Sequence, residues 1–376
     1  MHGAEEFILV GLRRVRLSLS RNESVDELRK KIDHIDERVV NLLNNRALLA
    51  QKIGKSKSLS NQEVYVPQRE QEILQRLSAR NRGPLTASAI RAIFREIISG
   101  CRALEAPLRV VFFGAEATYS HLAATEKFGA SSSLRPTASI PEVFQEVTQD
   151  RADFGVVPIE NSTEGVVAHT LDCLVDSDLQ ICAEIFLDIH HNLLSRSGRA
   201  EDVRRIVSHP QALAQCRGWL GAQFPKITVE EVASTAHAAI AASQDGSVAA
   251  VSSALAKEVY GLEFIASNIE DRSNNITRFL AIGKMHTKPG RNDKTSLVFS
   301  AKDKPGVLHQ MLQPFAKRRI NLSKIESRPI KNKPWEYLFF LDLIGHREQP
   351  AVKQAIAGLE KNCVFLKILG SYPSGR

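Results

Sequence analysis

Between residues 25 and 53 apolar side chains recur every three or four positions: Val25, Leu28, Ile32, Ile35, Val39, Leu42, Leu49 and Ile53. That is the period of one helix face, and it predicts a single long helix. Asn22 or Ser24 can cap its start, with acids close behind to suit the dipole. Gly54 and the Ser/Asn-rich stretch 56–62 are expected to end or loosen it. Pro67 suits the first position of a second helix reaching to about Asn81. Gly83-Pro84 breaks the chain, and a third helix turns Ile90, Ile93, Phe94, Ile97, Ile98 and Cys101 inward. A first helix this long cannot bury its face on two shorter ones alone, so helix-on-helix dimerisation is expected. Residues 22–106 therefore read as an all-helical module behind a frayed leader, 1–21.

Beyond Ala106-Pro107, read as a linker, the period changes. Arg109–Phe113 is a β-branched and aromatic run followed by Gly114 and a helix near Ser120–Phe128. Asp153–Val157, Ile181–Ile189, Arg205–Val207 and Val248–Val251 repeat the strand-turn-helix rhythm. The alternation predicts parallel sheets with helices on both faces, and residues 108–285 fit two small α/β lobes with a cleft between them. Lys288–Asp293 is a second linker. Residues 294–372 then run β-α-β-β-α-β: Thr295–Ser300, a helix over Pro305–Arg319, Ile320–Ile330, a turn at Lys331–Pro334, Trp335–Ile344, a helix over Pro350–Asn362, and Val364–Leu369. This is the order of the ferredoxin-like split βαβ.

Composition narrows the classes. A chain of 376 residues calls for two or three domains. No apolar run approaches the ~18–20 residues that span a bilayer. The formal charge of +8 suits anionic ligands. Its basic residues are interleaved with acids, with no basic tract or zinc-finger spacing, which argues against nucleic acid. Five scattered cysteines without a C-x-x-C pair fit reduced thiols in a cytoplasm. Adjacent His190 and His191 would point to opposite faces of a strand, so no metal is assigned, and no cofactor either.

Two cations interrupt the apolar stripe of the first helix: Arg46 one turn past Leu42, and Lys57 one turn past Ile53. A cation on a buried face needs an anionic partner. Arg29 flanks the same stripe, Arg69-Glu70 opens the second helix, and Glu105 falls on the inner side of the third. Converging cations in a helical bundle make a pocket for a small polyanion. With Leu28–Ile32, Asn45-Arg46, Gly54–Lys57, Arg69-Glu70 and Phe94–Ile98, this text resembles the all-helical chorismate mutases. The resemblance implies rearrangement of chorismate to prephenate by electrostatic and conformational catalysis. It implies that Arg29 (from a partner subunit), Arg46 and Arg69 hold the carboxylates, Glu70 takes a hydroxyl, and Lys57 and Glu105 face the ether oxygen. Three positions depart from the pattern: Val66, often acidic in the family, Cys101, often serine, and Glu105, often glutamine.

In the α/β region polar clusters fall at strand ends: Thr118–His121, Pro158–Gly165, Ser208–Gln211 and Asn274–Phe279. Singly each could be a helix cap or a turn. Together they mark a crevice at the carboxyl ends of strands. They resemble the prephenate dehydratases across the whole span, through Gly155–Ser162, Ser208–Leu213, Gln215-Cys216, Tyr260–Leu262 and Asn268–Asp271 into Asn275–Phe279. The resemblance implies a two-lobed, periplasmic-binding-protein-like α/β fold that converts prephenate to phenylpyruvate. Thr277 is then the catalytic residue, donating a hydrogen bond to the leaving hydroxyl or passing a proton. Ser120, Asn161, Ser162, Thr163, Ser208, Gln215 and Arg278 are its substrate-binding residues, with Arg278 either a carboxylate fork or a loop brace. His209 before Pro210 reads as structural more readily than as an acid. Ala117 stands where the family usually has glycine, and a positive φ there would cost roughly 1 kcal/mol.

The last module opens its first helix at Lys304–His309 and carries Glu326–Pro329 in its second strand, with Asn332–Tyr337 beyond. These resemble the ACT regulatory domain of the same dehydratases. The resemblance implies that Gly306, Val307, Leu308, Glu326, Ser327 and Arg328 bind phenylalanine as an allosteric inhibitor, in a homodimer or dimer of dimers. The whole reads as a multidomain enzyme that makes and then dehydrates prephenate. The alternative is a dehydratase whose helical module serves dimerisation or regulation, and a binding protein without catalysis is argued against by the intact Thr277 segment.

Overall fold

A computed structural model describes residues 24–59, 65–302, 304–329 and 337–375, without the side chains of 57–59. The leader 1–21, the Asn22 cap, the turn at 331–334 and residues 332–336 of the last motif lie outside the described residues. The chain divides into two compact units, one ending at Ile53 and one spanning Gly54–Arg376. The first is most of helix α1 (Val25–Leu59). Ser24 Oγ accepts from Glu27 N at 3.2 Å and Glu27 Oε2 accepts from Ser24 N at 2.9 Å, a reciprocal N-terminal cap. The apolar stripe of α1 remains exposed, Ile32 at 55% and Leu49 at 60%.

α1 does not stop at Gly54 but continues to Leu59. A glycine inside a helix costs about 1 kcal/mol relative to alanine, so its presence needs a reason. A Cβ on Gly54 would lie 2.7 Å from Cγ, Cδ and Oε2 of Glu105, so the missing side chain makes room for that carboxylate. In the second unit, α2 (Pro67–Arg80) starts on Pro67 as expected, and α3 (Ala87–Ala103) is capped by Thr86, whose Oγ1 accepts from Ala89 N. Ala106-Pro107 is no free tether. Tyr65 and Leu108 are buried in one cluster with Val110, Phe112, Phe128 and Phe154, so the residues flanking the α2–α3 hairpin pack into the core of the α/β region.

That region comprises β1 (Arg109–Phe113), α4 (Tyr119–Phe128), β2 (Ser133–Thr137), α5 (Ile140–Thr148), β3 (Phe154–Asn161), β4 (Gly165–Val166), α6 (Ala168–Asp176) and β5 (Gln180–Asp188). The chain crosses to a second lobe of β6 (Asn192–Ser195), β7 (Arg205–Ser208), α7 (Pro210–Gln215), α8 (Arg217–Gln223), β8 (Thr228–Glu231), α9 (Thr235–Gln244), β9 (Val248–Ser252), α10 (Leu255–Tyr260) and β10 (Glu263–Ala266). It returns through β11 (Ile276–Gly283). The sheets are ordered β2-β1-β3-β11-β5 and β10-β6-β9-β7-β8. They are mixed rather than parallel throughout. β11 enters the first sheet antiparallel to both β3 and β5, and β6 enters the second antiparallel to β9. Two crossings between lobes impose this, since a strand arriving from the other lobe runs against those already there.

The C-terminal domain is β12 (Asp293–Ser300), α11 (Val307–Lys317), β13 (Leu322–Pro329), β14 (Tyr337–Ile344), α12 (Pro350–Glu360) and β15 (Phe365–Pro373), with sheet order β13-β14-β12-β15. Strand alternation gives its sheet two apolar faces. Leu297, Phe299, Leu341 and Leu343 pack with Met311, Phe315 and Leu359 of its own helices. Val298, Phe340, Leu369 and Tyr372 join Val157, Ile181, Leu280 and Ile282 of the first lobe in a single cluster.

Candidate active site

The two lobes enclose a cleft of about 900 Å³. Its floor is the pair of strands β3 and β11, where Thr277 lies opposite Asn161, and a bulge follows at Arg278/Phe279. Strand alternation turns Thr277 and Phe279 into the cleft. Bulges of this kind re-aim side chains beside sites.

Hydrogen-bond directions around Thr277 follow from the backbone. Asn161 Oδ1 accepts from the main-chain N–H groups of Thr163 at 2.9 Å and Glu164 at 3.1 Å. A main-chain N–H can only donate, so this atom is the amide oxygen. Asn161 Nδ2 must then donate to Thr277 Oγ1 and to Asn275 Oδ1, both at 2.7 Å. Thr277 is therefore an acceptor in that bond, and its own proton is not consumed by it. The order propagates: Asn275 Nδ2 donates to Gln215 Oε1 at 2.8 Å, so His191 Nε2, 2.7 Å from the same oxygen, carries a hydrogen. Burial holds His191 below the usual imidazole range, which favours the neutral ring. Its Nδ1 is then an acceptor, so the single Tyr119 phenol proton is shared between that atom and His190 O, both 2.8 Å from Oη, and burial pushes the phenol well above its ordinary value. The chain Tyr119–His191–Gln215–Asn275–Asn161 thus spans both inter-lobe crossings and ends on Thr277. Glu270 ties the crossings together, accepting from His191 N at 2.9 Å and meeting His190 Nδ1 at 2.7 Å. Burial would raise its carboxyl, but the His190 and backbone hydrogen bonds outweigh it and hold the carboxyl low.

Isosteric exchange tests this ordering. In Asn161→Asp the carboxylate can still accept the two backbone N–H groups but can no longer donate, and it would draw the Thr277 proton to itself. A loss of about 10²-fold in kcat is expected for the reaction this cleft carries out, with little change in KM. Steady-state rates within a few-fold of the unmodified protein would show that the orientation is irrelevant.

The structure sorts the sequence-based site residues. Ser120, Asn161, Gln215 and Thr277 line the cleft, as does His209, whose Nδ1 accepts from Gln211 N as a helix cap. Ser162, Thr163 and Ser208 are engaged elsewhere. Ser162 Oγ bridges Ile276 N and Asn274 O, Thr163 Oγ1 bonds Asn161, and the buried Ser208 hydroxyl donates to Val251 O at 2.6 Å. Arg278 is corrected as a carboxylate fork. Next to Thr277 in a strand, it faces the opposite side, where Nη1 meets Asp342 Oδ2 at 2.6 Å and Nη2 meets Glu184 Oε2 at 2.8 Å. The described lining residues include no Arg or Lys. Instead the first turns of α4, capped by Thr118, and of α9, capped by Ser234, open on the cleft, and helix N-termini favour anions. Tyr119 was read only as part of the Thr118–His121 cluster, and His191, Ser234, Thr235 and His237 went unread as site residues in the sequence. Ala117 has φ 60 and is fully buried, so the strain expected of a non-glycine there is present.

Of the mutase set, Arg29 is exposed beside Asp26 and Arg46 is half-buried, both on α1. The Lys57 side chain lies outside the described residues. Arg69 is exposed, 3.6 Å from Glu72. Glu70 Oε1 accepts from buried Arg102 at 2.5 Å, and Arg102 also donates to Phe128 O and Ser132 Oγ. Glu105 lies over Gly54, one turn before Lys57. In the C-terminal domain Gly306 precedes α11 with φ 78, a conformation that glycine alone adopts without strain. Glu326 and Arg328 share one face of β13, and Arg328 Nη1 donates to Asp172 Oδ1 and Ala168 O, both at 2.7 Å.

Fold and cleft define a two-lobed α/β domain with a cleft between its lobes, joined to a helical segment and a ferredoxin-like C-terminal domain. Three family profiles match in series: chorismate mutase type II over residues 28–106, prephenate dehydratase over 110–287 and the ACT domain over 295–361. The bifunctional chorismate mutase/prephenate dehydratase of Aquifex aeolicus is 47% identical over 355 residues, 93% of this chain and 98% of that one. The chain belongs to the family of bifunctional chorismate mutase/prephenate dehydratases. Among solved structures, the prephenate dehydratase of Arthrobacter aurescens in complex with L-Phe matches with TM-score 0.65 at 33% identity, covering 71% of this chain and 90% of that one. GqqA, described as a novel type of quorum-quenching acylase, matches with TM-score 0.65 at 30% identity over 70% of this chain and 97% of that one. The α/β fold therefore hosts more than one chemistry, and the site residues must decide.

Proposed function

We propose that the chain rearranges chorismate to prephenate in its helical module, residues 22–106, and dehydrates prephenate to phenylpyruvate in the cleft of residues 108–285. Phenylalanine would feed back through residues 294–372. The observation that carries the dehydratase reading is the ordered hydrogen-bond chain that makes Thr277 an acceptor from Asn161 and leaves its proton available to a ligand. Thr277 donates to the leaving hydroxyl of prephenate. As the ring C–O bond breaks, that oxygen takes up a proton and departs as water. The electrons of the ring–carboxylate bond flow into the ring, and carbon dioxide leaves. Aromatisation drives the step, so the protein's part is orientation and hydrogen bonding. The helix N-termini of α4 and α9, with Ser120 and Gln215, receive the carboxylates.

In the mutase, Arg29 from a partner copy, Arg46 and Arg69 grip the carboxylates, Glu70 takes the hydroxyl, and Lys57 and Glu105 serve the ether oxygen. A carboxyl group donates there only when protonated. An amide donates without needing a proton added, so Glu105→Gln is expected to match or exceed the mutase turnover of the unmodified protein, whereas Glu105→Ala loses at least about tenfold. Turnover unchanged in Glu105→Ala would refute the role. The exposed apolar stripe of α1 supports pairing of two copies, as a dimer or a dimer of dimers. No helix among the described residues is long and apolar enough to cross a membrane. The cysteines are reduced thiols rather than disulfides, which supports a cytoplasmic compartment. The test supplies purified protein with chorismate, then with prephenate, and follows each product with and without phenylalanine. Prephenate turnover without chorismate turnover would leave the helical module a purely structural role.

A further inference from the structure

The two strands that carry Asn161 and Thr277 are each held from behind by the C-terminal domain. On β3, Glu160 precedes Asn161 and accepts from Lys324 Nζ of β13 at 2.7 Å. On β11, Arg278 follows Thr277 and meets Asp342 of β14 at 2.6 Å. Glu160 and Arg278 are cross-strand partners, as are Asn161 and Thr277. One two-strand ladder therefore presents its reacting pair to the cleft and its charged pair to the regulatory sheet. The arginine is locked further. Nη2 donates to Tyr372 Oη at 3.0 Å and Nε to Glu184 Oε2 at 2.9 Å, while Lys294 Nζ donates to both oxygens of Glu184 at 2.8 Å. Ser296 Oγ donates to Asp342 Oδ1 at 2.5 Å, fixing the carboxylate that faces Arg278. Arg278, Glu184, Lys294 and Asp342 are all buried, and two cations meet two anions. Buried charges tolerate only a well-fitted arrangement, so this cluster has few alternative geometries. Burial alone would lower the Arg278 guanidinium, yet Tyr372, Asp342 and Glu184 raise it above its ordinary value, and it stays charged.

We propose that Lys324 and Asp342 of the C-terminal domain are positioning residues of the dehydratase, setting the Asn161–Thr277 hydrogen bond through Glu160 and Arg278. The inference rests on the dehydratase reading and adds the route by which the regulatory sheet acts on it. A movement of β13 relative to β14 would shear β3 against β11 and misplace the Thr277 hydroxyl, without touching the substrate. β13 also carries Glu326 and Arg328, so any ligand that moves this strand acts on the ladder directly.

The test uses the full-length protein with Lys324→Met, Lys324→Arg and Asp342→Asn. Dehydratase kcat is expected to fall at least tenfold in Lys324→Met and further in Asp342→Asn, while KM for prephenate changes less than threefold. Lys324→Arg, which keeps the charge, is expected to recover most of the rate. Mutase activity in the same samples should be unchanged, which shows that the variants fold. Amide hydrogen exchange across Ile276–Gly283 should quicken in Lys324→Met. Exchange and kcat both matching the unmodified protein would overturn the proposal. So would failure of Lys324→Arg to recover, or mutase activity falling in step with the dehydratase. The exchange readout needs no turnover, so an unmodified protein inactive on prephenate would count against the function and not against the clamp.

Discussion

Thr277→Val is expected to abolish conversion of prephenate while leaving the rearrangement of chorismate unchanged. Valine keeps the β-branched shape that suits β11 and fills the same volume, so the strand should persist. Only the hydroxyl is lost. Removing one positioned donor to a leaving oxygen costs about 10²–10⁴ in rate. The upper part of that range is expected here, because the chain from Tyr119 to Asn161 is arranged around this one oxygen and the described lining of the cleft offers no cation to replace it. Asn161 Nδ2 would lose one of its two acceptors, Thr277 Oγ1, and keep Asn275 Oδ1. The expected penalty is about 1–3 kcal/mol of stability. Thermal denaturation separates that modest loss from the kinetic one.

The second large effect lies in the helical module. Lys57→Ala is expected to lower mutase turnover by about 10²–10³, the cost of one donor aimed at charge that develops in the transition state. α1 continues as helix through Gly54 to Leu59, so residue 57 keeps the helical phase of the stripe on which it was first noticed. Glu105 packs against the turn just before it. Dehydratase rates in Lys57→Ala should equal those of the unmodified protein, the mirror image of Thr277→Val. A chorismate progress curve in each variant separates the two activities. Prephenate accumulates without phenylpyruvate in Thr277→Val, and chorismate persists in Lys57→Ala although added prephenate is still consumed.

Residues whose role follows from local pattern were legible in the sequence. The period of α1, Pro67 at the start of α2, the alternation of the lobes and the split βαβ depend on neighbours a few positions apart. The cleft was legible as four polar clusters because helix caps and strand ends leave such marks. Direction was harder to read. Thr277 and Arg278 are adjacent in one motif, yet a strand sends them to opposite faces, and which face meets the cleft depends on packing more than sixty residues away at Asp342. Ser208 looked like a pocket residue because hydroxyls serve backbones and ligands equally well. His191 was weighed only as a metal ligand, since its partners Tyr119 and Gln215 meet it only when the lobes assemble. Gly54 read as ending or loosening the helix because no local pattern reveals the carboxylate of Glu105 arriving from just past α3.

The most direct test of the central claim compares Thr277→Ser with Thr277→Val for kcat on prephenate, in samples whose mutase activity is normal. Serine keeps the hydroxyl that Asn161 orients and loses only a methyl group. The serine variant is expected to retain a substantial fraction of the rate, with the valine variant lower by about 10² or more. Equal rates in the two variants, whether both high or both lost, would contradict the assignment of the Thr277 hydroxyl as the hydrogen-bond donor to the leaving group.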